Sequence, residues 1–150
     1  MEQSPSRQIE VDCVSNLRDL GGYRTRDGRR VAWRRLLRGG EPRHESLSSV
    51  LRLRDQIGLA SVLDLRSDVE IRPERVAFLK AVDIRYHNVP LEGDGISAAP
   101  ESDFFSRFTG MGDFYLFMLR SETFSRRLIS ALEVVADTSN HPVLFHCTVG

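Results

Sequence analysis

The sequence predicts an α/β domain with a central, mainly parallel sheet flanked by helices. Two observations carry that expectation. Short apolar runs read as strands, and the stretches between them repeat apolar residues every three or four positions, as helices do. Strands separated by helices imply right-handed crossovers, which make a parallel sheet with helices on its faces.

The elements follow in chain order. NLRDLGGY, Asn16 to Tyr23, is a polar turn in which Gly21 and Gly22 supply unusual backbone angles. LLRGGEP follows, with Arg38 at the end of a strand. From Ser46 to Ile57, Leu47, Val50, Leu51 and Ile57 keep helical spacing, and Gly58 is a stop signal. SVLDLR, Ser61 to Arg66, is a buried strand ending in polar residues. IRYHNVPL, from Ile84, is a second, with Pro90 near its end. Gly93, Gly95, Pro100 and several acids make Glu92 to Asp103 a loop. DFYLFML, Asp113 to Leu119, is a strongly apolar helix. Ser121 is a helix N-cap, after which Phe124, Leu128, Leu132 and Val135 recur down to Asp137. PVLFH then forms a further strand into Cys147.

Composition narrows the class. A chain of 150 residues, 41% hydrophobic and formally neutral, is long enough for one domain with a real core. Residues 1–10 read as a tail and 11–150 as the domain. Nothing resembles a disordered or nucleic-acid-binding tail. The polar N-terminus lacks the apolar region of a secretory signal, and no stretch approaches the ~18 apolar residues of a membrane span. Two cysteines are too few for a disulfide framework, so a reducing, cytoplasmic setting is expected. Residues 1–54 carry twelve arginines against seven acids, and residues 55–150 nine basic residues against fourteen acids. That asymmetry is either a solvated basic face or a set of arginines facing an anionic ligand. Twenty of the 21 basic residues are Arg; Lys80 is the exception.

In open parallel sheets, ligands bind beyond the carboxyl ends of the strands. Three polar clusters fall there: Asp64-Leu65-Arg66, the loop after Leu91, and Cys147-Thr148-Val149-Gly150. A cysteine just past a buried strand enters a loop where backbone N–H groups converge on anions. The same field favours thiolate over thiol, and a thiolate attacks phosphorus. The alternative is a small buried hydrophobe ending a strand. Residue pattern alone leaves both open for Cys147, while Cys13 has no comparable company and reads as structural.

Four segments narrow the choice. NLRDLGGY, LLRGGEP, VLDLRSDVE and PVLFHCTVG, in that order, resemble the bacterial and fungal tyrosine-protein phosphatase family whose loop reads His-Cys-x-x-Gly-Lys-Asp-Arg-Thr-Gly. The resemblance covers the chain from Val11 onward and implies a cysteine-dependent protein tyrosine phosphatase-like fold. It implies Cys147 as nucleophile, His146 as support for the thiolate, and Thr148, Val149 and Gly150 as the start of a phosphate cradle. Asp64 matches the Asp of the DLR motif, either as general acid or as an aspartate that pairs Arg66 or Arg18 and holds loops together. Asp94 is the second candidate acid. Arg66 either contacts phosphate or pairs with Glu70. Arg18, and more weakly Arg38, could bring positive charge to the pocket, whereas Asn16 and Asp19 read as a turn tied by its own hydrogen bonds.

The resemblance implies a phosphomonoester hydrolase acting on phosphotyrosine and, in some members, on phosphoserine, phosphothreonine or phosphoinositides. A degenerate phosphate-binding module and a rhodanese-type sulfurtransferase are the other two classes considered. No metal or other cofactor is implied, because the four histidines lack paired ligand spacing and arginine with backbone N–H can supply the positive field. The expected partner is a phosphoprotein or phosphoinositide substrate, with no nucleic acid. The family's loop arginine falls three positions beyond Gly150. Residues 1–150 are therefore expected to be the N-terminal part of a longer phosphatase domain, inactive by themselves.

Overall fold

The structure, a computed structural model, describes residues 6–42, 47–71, 83–91, 106–148 and 150. Its elements are β1 (Arg18–Asp19), β2 (Leu36–Gly39), α1 (Leu47–Ile57), β3 (Ser61–Asp64), β4 (Arg85–Asn88), α2 (Met111–Leu119), α3 (Glu122–Ala136) and β5 (Val143–His146). Short 3-10 turns occupy Asp68–Glu70 and Thr138–Asn140. The five strands form one sheet in the order β1-β2-β5-β3-β4. Its β2-β5, β5-β3 and β3-β4 pairs are parallel. Only β1 runs antiparallel, against β2. That two-residue edge strand was not anticipated, since so short a segment carries no period-two pattern.

Topology explains the two cores. The β2-to-β3 and β4-to-β5 crossovers run in opposite directions across the sheet, so one handedness places their helices on opposite faces. Leu53 and Ile57 of α1 pack with Leu37, Val62 and Leu144. Ala131 of α3 packs with Leu63 and Val143. All four residues of β3 are buried, as befits a strand covered on both faces. Phe114 and Met118 of α2 pack with Phe124 of α3 in a third cluster.

Caps set the helix limits. The Ser121 hydroxyl accepts from the Phe124 N–H, the N-cap bond expected for α3. Gly58, at φ +73°, ends α1 in the left-handed conformation open to glycine, and the Leu59 N–H donates back to the Leu53 carbonyl. The strand expected over 61–66 stops at Asp64, because the Arg66 N–H turns back to the Asp64 carboxylate rather than to a neighbouring strand. The loop expected at Glu92–Asp103, and with it Asp94, lies outside the described residues. So does Val149. Among the described residues, no helix is long and apolar enough to cross a membrane.

Candidate active site

Register brings the parallel strands to a common edge. Gly39 pairs with His146, His146 with Asp64, and Asp64 with Asn88. The segments leaving that edge are 40–42, 65–71, 89–91 and 147–148; of the three polar clusters expected there, those at Asp64 and Cys147 are among them, and the loop after Leu91 lies outside the described residues. Cys147 is the first residue beyond β5 and is partly exposed, whereas Cys13 is buried in the α1-side core. Burial pushes the Cys13 thiol pKa up, which suits an inert packing role.

Cys147, Thr148 and Gly150 are each held by hydrogen bonds. The His146 carbonyl accepts from the Leu65 N–H at 3.0 Å. Nδ1 of His146 lies 2.9 Å from the Cys147 carbonyl; a carbonyl can only accept, so that nitrogen carries the proton. The ring is fully buried, and desolvation pushes its pKa down against the opposing pull of Asp64. The hydrogen bond of this ring is thus to the backbone of Cys147.

Thr148 is held from two sides. Its hydroxyl donates to Oε1 of Glu70 at 3.0 Å, and its carbonyl accepts from the Glu41 N–H at 3.4 Å. Oε2 of Glu70 meanwhile accepts from the Ser67 N–H and hydroxyl at 3.0 and 2.8 Å, a reciprocal cap on the turn after the DLRS stretch.

Gly150 is reached from the first turn of the chain. Its carbonyl accepts from Nδ2 of Asn16 at 3.2 Å and from Nη2 of Arg18 at 3.5 Å. Arg18 also donates to the Asn16 carbonyl at 2.9 Å. Asn16 thus bonds across the molecule rather than within its own turn, correcting the local reading; Asp19 fits it through Gly21 but also reaches Arg34 beyond the turn. The Asp19 carboxylate is buried and accepts from the Gly21 and Arg34 N–H groups at 2.8 Å each. Gly150 sits at φ +95°, and a Cβ there would lie 2.7 Å from backbone atoms of Gly39 and Gly40. Only glycine fits that approach. Arg38, opposite Arg18 in the register, places its guanidinium 5.4 Å from the centre of the Phe145 ring.

Asp64 and Arg66 form a buried ionic centre on the α1 side of the site. Arg66 Nη2 and Nε approach the Asp64 carboxylate at 2.7 and 3.0 Å. Nη1 reaches Oε1 of Glu41 at 2.9 Å and the Glu70 carbonyl at 3.5 Å. The Tyr86 hydroxyl donates to Asp64 at 2.9 Å, and Nε2 of His146 lies 3.6 Å away. Burial alone would raise the Asp64 pKa, but the Arg66 bonds and neighbouring positive charge outweigh it and the carboxylate is held below its usual range. Desolvation works against the Arg66 charge, yet Asp64 and Glu41 hold its pKa above normal. Burial first, then the Asp64 charge, pushes the Tyr86 hydroxyl up.

These contacts locate the predicted residues. Asp64 is 1% exposed and Arg66 7%, so neither presents a free polar face to solvent, and Arg66 pairs with Glu41 and Asp64 rather than with the Glu70 side chain. Tyr86, Asn88, Glu41 and the Glu70–Thr148 link were missed. Asn88 donates to both the Asp64 and Arg66 carbonyls, at 3.1 and 3.0 Å. Tyr86 and Asn88 are two apart on one strand, so period-two reading of β4 against β3 would have found them once register was known. Chemically, Arg66 offsets the carboxylates beneath the loop, and a partly exposed thiol stands at its start.

The model of the tyrosine phosphatase family matches residues 9–150. A protein of Cupriavidus necator that bears a tyrosine-protein phosphatase name is 44% identical over 70 residues, covering 47% of this chain and 25% of its own. The core catalytic domain of the PP-IP phosphatase SIW14 from S. cerevisiae, solved with citrate, is similar with a TM-score of 0.56 at 24% identity, covering 94% of this chain and 61% of that one. A second Siw14 catalytic core gives 0.53 at 24% identity, over 93% and 58%. The chain thus spans a quarter of that curated relative and about three-fifths of the solved cores, with which it shares a fold.

Proposed function

The chain belongs to the tyrosine phosphatase family, and from that membership we propose a phosphomonoester hydrolase that acts on phosphotyrosine through a cysteinyl-phosphate intermediate on Cys147. The observation that carries the reading is the fastening of Cys147, Thr148 and Gly150. Asn16, Arg18, Glu41, Glu70 and His146 all hold this one loop, directly after a partly exposed thiol. Preorganised N–H groups aimed at developing charge are the main source of catalysis in such sites.

In the proposed reaction, the Cys147 thiolate attacks phosphorus and the bond from phosphorus to the leaving oxygen breaks. The departing oxygen takes a proton from an acid. Water then attacks phosphorus, the S–P bond breaks, and thiolate and inorganic phosphate are released. Backbone N–H groups of Thr148 to Gly150, and the arginine that follows in the family pattern, bind the phosphoryl oxygens. Asp64, ionised and enclosed by Arg66 and Tyr86, suits a positioning role better than the acid's, which requires a held proton and access to the leaving group. Asp94, the second candidate acid of the sequence, is then the donor that this proposal calls for.

The test compares the full-length protein with its Cys147→Ser variant, using para-nitrophenyl phosphate and vanadate. Vanadate-sensitive turnover lost in the variant, with radiolabelled phosphate trapped on acid-quenched wild type, is expected. Turnover surviving Cys147→Ser would overturn the proposal. Phosphotyrosine peptide and an inositol phosphate assayed in parallel decide the substrate, and faster hydrolysis of the inositol phosphate would sink the phosphotyrosine assignment.

A further inference from the structure

Residues 20–35 hold six arginines, at 24, 26, 29, 30, 34 and 35, and one acid, Asp27, for a net charge of +5. The whole chain is neutral, so the other 134 residues carry −5. All six arginines are exposed. Asp27 pairs with Arg29, and Arg30 donates to the Gly22 carbonyl. The side chains of Arg24, Arg26, Arg34 and Arg35 make no ion pair among the described residues.

The segment folds as a short hairpin. The Gly28 N–H closes a turn on the Thr25 carbonyl, and Thr25 to Arg29 and Val31 to Tyr23 bonds bracket the antiparallel Arg24–Arg30 pair. That bracketing makes it a non-hydrogen-bonded pair, the kind whose side chains stand closest. Like charges directly opposite destabilise a ladder, yet the hairpin keeps two guanidinium groups there. Beside them the half-exposed Tyr23 ring lies 3.7 Å from the Arg7 guanidinium carbon. The hairpin enters β2 at Leu36, and the Arg35 carbonyl accepts from the Val143 N–H. It therefore lies at the amino ends of the parallel strands, the sheet edge opposite Cys147.

We infer that this hairpin is a docking surface for an anionic lipid membrane, holding the molecule with its catalytic loop turned away from the bilayer. The inference is independent of the catalytic reading. A projecting turn suits a flat surface better than a peptide; the cavity alongside, about 280 Å³, is bordered by only Arg34 among the six. Guanidinium forks match phosphate oxygens, and tyrosine rings favour the headgroup level.

The experiment is sedimentation of full-length protein with vesicles of equimolar phosphatidylserine and phosphatidylcholine, and with phosphatidylcholine alone, at low and high salt. Binding only to the anionic vesicles, weakening with salt, is expected. Neutralising one basic side chain weakens surface binding about fivefold, so Arg24→Gln, Arg26→Gln and Arg35→Gln together weaken it about a hundredfold. The three Lys replacements retain most of it. Unchanged circular dichroism, and unchanged para-nitrophenyl phosphate hydrolysis, show that the triple variant is folded. Wild type that ignores anionic vesicles, or a triple variant that binds them as well as wild type does, overturns the inference. Binding to polyglutamate in place of vesicles overturns it in favour of an acidic protein.

Discussion

Glu70 divides its carboxylate between two tasks: one oxygen caps the turn that begins at Ser67, and the other receives the Thr148 hydroxyl at 3.0 Å. Through this side chain the segment after β3 sets the position of the residue beside Cys147. Neither group is buried, so the link serves placement more than stability.

Replacing Glu70 with Ala is therefore expected to lower kcat/KM for para-nitrophenyl phosphate by about tenfold, within the range a misplaced reacting group costs. Glu70→Gln keeps one carbonyl oxygen to cap Ser67, and its NH2 can donate to the Thr148 hydroxyl oxygen, so it should stay within about threefold of wild type. Steady-state kinetics on both variants checks this, and equal losses would contradict a placement role.

Removing Arg66 leaves the buried Asp64 carboxylate without its ion-pair partner. Breaking a buried pair from one side costs about 3–5 kcal/mol, so Arg66→Met should lower the urea midpoint sharply. The double variant Asp64→Asn, Arg66→Met is expected to recover part of that loss. Equilibrium unfolding in urea measures both.

Acid should weaken the fold in two steps. His146 has its pKa depressed in the folded state, so the unfolded chain takes the proton first. Its contribution is whole above about pH 6.5 and is lost as pH falls through the folded value. Asp64 is also depressed, with a contribution whole above about pH 3.9 and lost below. Urea midpoints measured across pH should show the upper step reduced in His146→Gln and the lower step in Asp64→Asn. A slope unchanged by either substitution would refute the assignment.

A methyl group on Gly150 would meet the backbone of Gly39 and Gly40 at 2.7 Å while the residue holds φ +95°. Gly150→Ala should cost about 1–3 kcal/mol of local strain and reduce turnover at least tenfold by shifting the cradle. Gly28→Ala makes the control. It has a similar positive φ, at +83°, but open space around its Cβ, and it should strain the chain without touching catalysis.

Much of the fold was legible because it rests on local patterns. The apolar run at Val143–His146, the three-and-four spacing of α3 and the Ser121 cap each point to one element without reference to the rest. Strand ends then pointed to the segments that leave the sheet beside Cys147. What escaped were partnerships fixed only by register. That Tyr86 meets Asp64, that Arg66 meets Glu41, and that Asn16 meets Gly150 depends on which strands are neighbours and at what offset. Nothing in a window of ten residues encodes that. The shortest strand, β1, was missed for the same reason: its two residues are a strand only because Leu37 and Arg38 lie opposite.

The bond from Asn16 to Gly150 joins residues 134 positions apart. No helix or hairpin forming alone can bring those two groups together, and closing so long a loop is among the slower steps available to a chain. The cradle therefore has no half-assembled form that could work early. During refolding, catalytic competence should return with the slowest phase that restores the whole sheet, and not with the faster appearance of helix. Recovered turnover would then act as a clock for the completion of folding.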